Sequence, residues 1–499
     1  MQVLDHLYLG FSVALSPTNL LYSLYGAALG TLIGVLPGIG PVATISILLP
    51  VTFYLSPASA LIMLAGIYYG AQYGGSTSAI LVNLPGESSS VVTCLDGHQM
   101  ARQGRAGAAL GVAALGSFFA GTVATVLIAI FAPPLGEFAL AFNAPEYAAL
   151  MVLGLIAAVV LARGSVLKAL AMVFIGLLLG TVGTDVNSGV SRFSFNLPQL
   201  SDGIDFVVIV MGMFGFSEII SNLETRQNRD VISAKIGRIL PSLSDIRASW
   251  KPVMRGTVLG SVLGIFPGGG AVLSAFASYS MEKKLAKDPS RFGRGAIEGV
   301  AGPEAANNAG AQTSFIPLLT LGIPSNAVMA MMIGAMMIHG IRPGPQLMTN
   351  QPDLFWGLIA SMWVGNLMLL VLNLPLIGLW VRLLRVPYKV LFPCILLLCC
   401  IGIYSLNRSG FDLVMAAGFG LLGYIFIKIG CEPAPLLLGF VLGPMLEEYF
   451  RRAMLISQGN PMIFITRPIS GTLIALVVIL LVLVLLPSIR KGRETAFKE

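Results

Sequence analysis

The sequence Pro-Gly-x-Gly occurs twice in this 499-residue chain, as Pro37-Gly38-Ile39-Gly40 and Pro267-Gly268-Gly269-Gly270, each time within an apolar run free of Lys and Arg. Proline ends the helical ladder before it, and glycine lets the main chain turn sharply and approach a ligand with no Cβ in the way. The helix that follows begins with unpaired N–H groups and the positive end of its dipole. That is a place for an anion where a basic side chain would be expensive. Close helix packing is the competing use of the same glycines.

A second kind of chemistry attaches to Glu304, with Asn307 and Asn308 three and four residues on and so on the same helical face. These residues suit cation coupling. The alternative is a carboxylate at a cytoplasmic helix end, paired with Arg291 or Arg294, and the sequence weighs the two equally. Other chemistry has little support. His6, His98 and His339 are far apart, and nothing has the spacing of a metal site or catalytic dyad. The five cysteines are odd in number and lie mostly in apolar runs, which argues against a disulfide framework. No GxxxxGK[ST] loop occurs, so ATP is not the expected fuel. The chain is read as neither an enzyme nor a nucleic-acid binder, with no cofactor beyond a coupling ion, Na⁺ or H⁺.

The elements that must position these residues follow from composition. Hydrophobic residues make up 56% and charged residues 11% of the chain, against about 25% charged in soluble proteins. Apolar runs of about 20 residues recur, apolar on every face, which predicts an all-α polytopic membrane protein and not a barrel. Met1 onward is read as mature chain, because no charged n-region and cleavage site opens it. About eleven crossings are expected, near 57–82, 106–131, 145–163, 168–184, 204–223, 297–325, 354–381, 388–405, 410–428, 433–450 and 468–488. Alternating them from an external start leaves six of the 30 basic residues outside, Arg192, Arg342, Arg408, Arg451, Arg452 and Arg467. The C-terminus is then cytoplasmic.

Residues 26–42 and 256–272 align without a gap and share Gly26/Gly256, Leu29/Leu259, Gly30/Gly260, Gly34/Gly264, Pro37/Pro267, Gly38/Gly268, Gly40/Gly270 and Val42/Val272. Two short arms around each break read as a re-entrant helical hairpin. Basic residues flank the second hairpin at both ends and the first at neither, so the halves are expected to form inverted-topology repeats, as in many secondary transporters. After each hairpin comes a span rich in small polar residues, 68–86 and 302–326. Gly74, Gly75, Ser76, Thr77 and Ser78 are expected to interrupt the first, and Asn83 with Pro85, or Thr320 with Pro324, to close the interruptions. The expected organisation is a short N-terminal interfacial or membrane helix (1–22), a first repeat (23–225), a cytoplasmic linker (226–255), a second repeat (256–453), a C-terminal transmembrane helix (454–489) and a basic tail (490–499).

At GVLPGIGP (34–41), YGGSTSAILVNLPGESSSVVTCLDGHQMARQGRAGAALG (73–111), FPGGG (266–270), GPEAANNAGAQTSFIPLLTLGIP (302–324) and LGPMLEEYFRRA (442–453) the chain resembles the large membrane subunit of the tripartite tricarboxylate transporters. The resemblance implies a cation-driven permease of the bacterial inner membrane that imports a small, citrate-like di- or tricarboxylate. It further implies a small four-helix membrane subunit and a periplasmic solute-binding protein as partners, and hairpins that move with the broken helices. Carried over by position, the expected substrate site is Pro37, Gly38, Ile39, Gly40, Gly74, Gly75, Ser76, Thr77, Ser78 and Asn83 in one half. In the other it is Pro267, Gly268, Gly269, Gly270, Thr313, Ser314, Pro324, Ser325 and Asn326, with Glu304, Asn307 and Asn308 for the cation. Gly269 stands where the first copy has Ile39, so the two tips need not hold the same thing. An anion channel and a non-transporting scaffold are the rival readings.

Overall fold

The structure is a computed structural model that describes residues 2–36, 40–162, 165–185, 188–224, 239–266, 270–383 and 388–485. Pro37, Gly38, Ile39, Pro267, Gly268 and Gly269 lie outside the described residues, as do the first part of the expected linker and the basic tail.

The described chain is helical, apart from one two-stranded antiparallel ladder pairing Gly183 with Arg192 and Thr184 with Ser191. Its first half runs α1 (Gln2–Ala14), α2 (Pro17–Val35), α3 (Pro41–Thr52), α4 (Pro57–Val82), α5 (Val91–Arg102), α6 (Ala106–Ala139), α7 (Ala144–Leu161), α8 (Val166–Gly180) and α9 (Phe206–Glu224). A π-helical turn, Met211–Phe216, interrupts α9. The second half runs α10 (Leu243–Ile265), α11 (Gly270–Leu285), α12 (Glu298–Thr313), α13 (Phe315–Leu321), α14 (Ala327–Ile338), α15 (Pro352–Asn373), α16 (Ile377–Leu383), α17 (Tyr388–Asn407), α18 (Gly410–Lys428), α19 (Pro433–Ile456), Ile463–Thr466 and α20 (Pro468–Leu485), with the short turn Gln346–Asn350 before α15. Among the described residues, five helices are long and apolar enough to cross a bilayer: α2, α6, α9, α15 and α18. The other expected crossings fall on helices that are shorter or more polar.

Two sequence readings are corrected here. The arm before the first break is not half-length. Helix α2 has 19 residues and starts where Ser16 accepts the Asn19 N–H with Pro17 at the first helical position, a start signal within the segment assigned to a separate N-terminal helix. The expected boundary at residue 22 therefore falls inside α2. The second correction concerns Gly74–Ser78, which does not interrupt its helix. Helix α4 continues through these residues to Val82 and ends at Asn83, whose φ is +57°.

The physical reason is close packing. A Cβ on Gly26, Gly30 or Gly34 of α2 would run into the carbonyl oxygens of Met63, Ile67 and Ala71 of α4, and one on Gly74 into that of Thr31. The small residues let two backbones touch, so a continuous helix is the better packed state. The same register recurs in the other half: Cβ atoms on Gly256, Gly260 and Gly264 of α10 would meet the carbonyl oxygens of Gly302, Ala306 and Gly310 of α12. Glycines 230 positions apart thus face partners a constant 239 positions apart. Hydroxyls repeat too, with Thr44 donating to the Gly40 carbonyl at 3.0 Å and Ser274 to that of Gly270 at 2.7 Å. In the second half the interruption is present: α12 ends at Thr313, Ser314 joins it to α13, and Gly322 ends α13 at φ +71°.

Helices α4 and α12, one from each half, form the centre. Every residue from Ser59 to Val82 and from Gly299 to Thr313 is buried. Large apolar side chains such as Val414 and Leu421 of α18 and Val478 and Ile479 of α20 face outward, as lipid contact requires.

Candidate functional site

Glu304 lies where four helices from both halves meet, and it is fully buried. Its Oε2 takes the Ser76 hydroxyl of α4 at 2.5 Å and the Asn307 amide at 3.3 Å, and its Oε1 takes the Thr93 hydroxyl of α5. Asn308 donates to the Glu304 carbonyl at 3.1 Å, to Asn307 Oδ1 at 2.7 Å and to Ser117 of α6 at 2.7 Å. All these partners are neutral. Arg291 pairs instead with Glu298 at 3.2 Å, and Arg294 offers its carbonyl to Gln103, so the arginine pairing that the sequence left open is not what holds Glu304. Beside Ser76 and Ser117 a cavity of about 10 Å³, also lined by Tyr73, Thr77 and Asn373, has room for about one water.

A second cluster forms at the second break. Asn326 caps α14 by accepting the Met329 N–H at 3.0 Å, while its amide donates to Tyr68 Oη of α4 at 3.2 Å and Ser314 Oγ at 3.3 Å. Ser314 Oγ donates to the Gly310 carbonyl at 2.7 Å and reaches that of Gly264 at 3.3 Å, and Ser325 donates to the Ser314 carbonyl at 3.4 Å. Gly270, first residue of α11, has φ +47°, and a Cβ there would lie 3.1 Å from Asn326 Nδ2. Tyr68 and Ser76 are eight residues apart on α4, so the two clusters are separated by about 12 Å along it.

The expected site residues thus divide. Ser76, Asn307 and Asn308 gather at Glu304. Gly270, Ser314, Ser325 and Asn326 gather at the second break, with Pro324 buried beside Ser325. Ser78 donates to the carbonyl of Gly34 at 3.3 Å and Thr313 to that of Ala309 at 3.0 Å, so both bond main chain. A Cβ on Gly75 would press on Ser90 Oγ at 3.0 Å. Asn83 is exposed and joins neither cluster. Gly40 caps α3 apart from both.

Sequence reasoning missed Tyr68, Tyr73, Gln72, Thr93, Ser117 and Gln312. Tyr73 donates to Asn366 Oδ1 at 2.7 Å. Gln72 accepts Ser89 Oγ at 2.5 Å, and among the described residues its amide nitrogen has no partner, nor has the amide oxygen of Gln312. Both side chains are buried. A signal for the glutamines existed: Gly-Ala-Gln recurs at 70–72 and 310–312. Thr93 and Ser117 had no such mark.

Residues 20–438 match the family described as tripartite tricarboxylate transporter TctA. The chain belongs to that family. It is also similar to two proteins of Agrobacterium vitis. One is a 52.8 kDa protein of the TAR-I ttuC′ 3′ region, 60% identical over all of this chain and 99% of its own length. The other is a protein of the TAR-II ttuC′ 3′ region, 61% identical over 48% of this chain and 99% of its own length. No solved structure matches. As a TctA-family member the chain is a multi-pass membrane component of a tricarboxylate transporter, and the glycine-packed centre with its buried carboxylate is the centre of that component.

Proposed function

We propose that this chain is the permease of a secondary active importer in the bacterial inner membrane. It takes a small di- or tricarboxylate from a periplasmic solute-binding protein, acts with a small membrane subunit, and is driven by a Na⁺ or H⁺ gradient. The observation that carries the reading is Glu304, buried between the two halves with neutral hydrogen-bond donors and no cation at ion-pair distance among the described residues. A carboxylate at that depth is costly as a bare charge, so it cycles between a loaded state, with proton or metal cation, and an empty one. Its bonds reach α4 and α5 of one half from α12 of the other, so a change in its charge bears on how the halves fit together. The tight closure of the centre, with room for about one water beside Ser76, favours a carrier over an open channel.

Vesicles carrying both membrane subunits, given binding protein and labelled citrate or malate, test this. Accumulation above the external level under an imposed gradient is expected, with the flux saturating. Flux that only equilibrates would identify a channel, and no flux with complexes intact would identify a scaffold. Replacing Na⁺ by choline at fixed pH separates the two coupling ions.

A further inference from the structure

Glu304 is sealed from solvent, so a cation that neutralises it must first pass another part of the protein. The turn between α4 and α5 carries a second acid, at the edge of the same centre. Ser88 is exposed, Glu87 beside it is half-buried, and Ser89, Ser90, Thr93 and Glu304 are fully buried. One short stretch of chain, rich in hydroxyls, therefore runs from the surface to the buried carboxylate.

Three contacts bring Glu87 to the Glu304 site. A Cβ on Gly75 of α4 would lie 3.2 Å from the Glu87 nitrogen and 3.3 Å from the Glu87 Cβ, so Glu87 packs beside the residue preceding Ser76, whose hydroxyl bonds Glu304 Oε2. From the other side, the Glu87–Ser90 turn leads directly into α5, whose third residue, Thr93, bonds Glu304 Oε1. Glu87 Oε2 also takes the Ser89 hydroxyl, which lies 2.5 Å from Gln72 Oε1, one helical turn before Ser76. Capping of the turn uses Oε2 only, through the Ser89 N–H at 2.6 Å and the Ser89 hydroxyl. Among the described residues no Lys or Arg forms an ion pair with this carboxylate. A carboxylate without a basic partner at the rim of a low-dielectric centre concentrates counter-ions and speeds their arrival. Inward of it, Ser89, Ser76 and Thr93 offer neutral oxygens that can hold a proton or a metal cation in passing.

We infer that Glu87 is the access residue of the cation site: it gathers the coupling cation at the surface and passes it to Glu304 along the Ser89, Ser76 and Thr93 oxygens. The inference rests on the proposed cation-coupled transport and adds a residue that sets how fast Glu304 is loaded, not how steep a gradient the transporter builds.

The test is uptake of labelled citrate and labelled malate by vesicles holding the complete transporter with its binding protein. Rates are taken once with Na⁺ varied at fixed pH and once with H⁺ varied in the absence of Na⁺, so that the unmodified chain identifies the driving cation. Glu87→Gln keeps an oxygen for the Ser89 N–H and removes the charge. The concentration of driving cation that gives half-maximal rate is expected to rise about tenfold. KM for the acid should stay within about twofold, with the final accumulation ratio unchanged. Glu87→Asp keeps the charge and a capping oxygen, and is expected to stay within about threefold of the unmodified chain. Glu304→Gln, by contrast, loses accumulation itself. A half-maximal concentration unchanged in Glu87→Gln, or raised equally in Glu87→Gln and Glu87→Asp, overturns the assignment and leaves Glu87 a cap. Should Glu87→Gln not reach the membrane, Ser88→Lys places a positive charge at the exposed neighbour. The same rise is then expected, and no change overturns the assignment. If the unmodified chain accumulates neither acid under either gradient, the coupling reading itself fails, whereas accumulation with normal cation dependence in Glu87→Gln defeats this inference alone.

Discussion

Glu304 and Asp96 are both buried acids, and their surroundings assign them different work. Asp96 is held by main chain: Oδ1 takes the N–H groups of Gly293, Gly295 and Ala296 at 2.8–2.9 Å, and Oδ2 takes the Tyr279 hydroxyl at 2.9 Å. This is a fixed knot tying α5 to α11 and to the loop before α12. Asp96→Ala leaves three N–H groups unpaired, each costing about 1–3 kcal/mol. A large loss of thermal stability in detergent is expected, even with uptake conditions optimised. Glu304 is held by hydroxyls and one amide, partners that tolerate either protonation state. Glu304→Gln keeps those contacts and removes the charge. Gradient-driven accumulation is expected to fall by tenfold or more, with thermal stability changed little, and paired uptake and melting measurements check this. The sequence pointed to Glu304 through its two asparagines. It gave no notice of Thr93 or Ser117, because a lone hydroxyl on an apolar helix has no spacing to recognise.

Among the elements, the paired glycine faces of α2 with α4 and of α10 with α12 decide what the small residues are for. Their periodic spacing of four was visible in the chain, and so was the repeat. The competing uses of such residues, an unwound segment or a close crossing, differ only in whether a second backbone lies opposite. Opposite Gly74 it does, at Thr31, and α4 stays helical. Opposite Ser314 the chain turns into α13 and then into the Gly322 bend. Gly30→Val or Gly260→Val would push a side chain into the backbone of Ile67 or Ala306. Because main chain cannot swing aside, each is expected to cost at least the 1–3 kcal/mol typical of overpacking. Melting of the purified protein should show this, and a Gly→Ala change at the same positions should show a smaller loss of the same sign. Helices α10 and α11 are also fastened to each other, where Arg255 Nε donates to Glu282 Oε1 at 2.8 Å. Glu282→Gln is expected to leave folding intact and to raise the accessibility of a cysteine placed at Ser278, read by thiol labelling.

For the whole molecule, composition pointed to the bilayer as solvent, and runs of about 20 residues apolar on every face pointed to helices and not a barrel as the way to satisfy the backbone there. The two Pro-Gly-x-Gly copies, 230 positions apart, raised the expectation of two related halves. Local residue order carries such information because capping, helix breaking and apolarity act over a few neighbours. Only the tertiary structure decided that Glu304 faces Ser76 and Thr93 instead of Arg291, that α4 runs unbroken past Ser78, and that Tyr68 reaches across to Asn326. Each of those contacts joins segments far apart in the chain, and their meeting depends on which helix faces another, which no local pattern encodes.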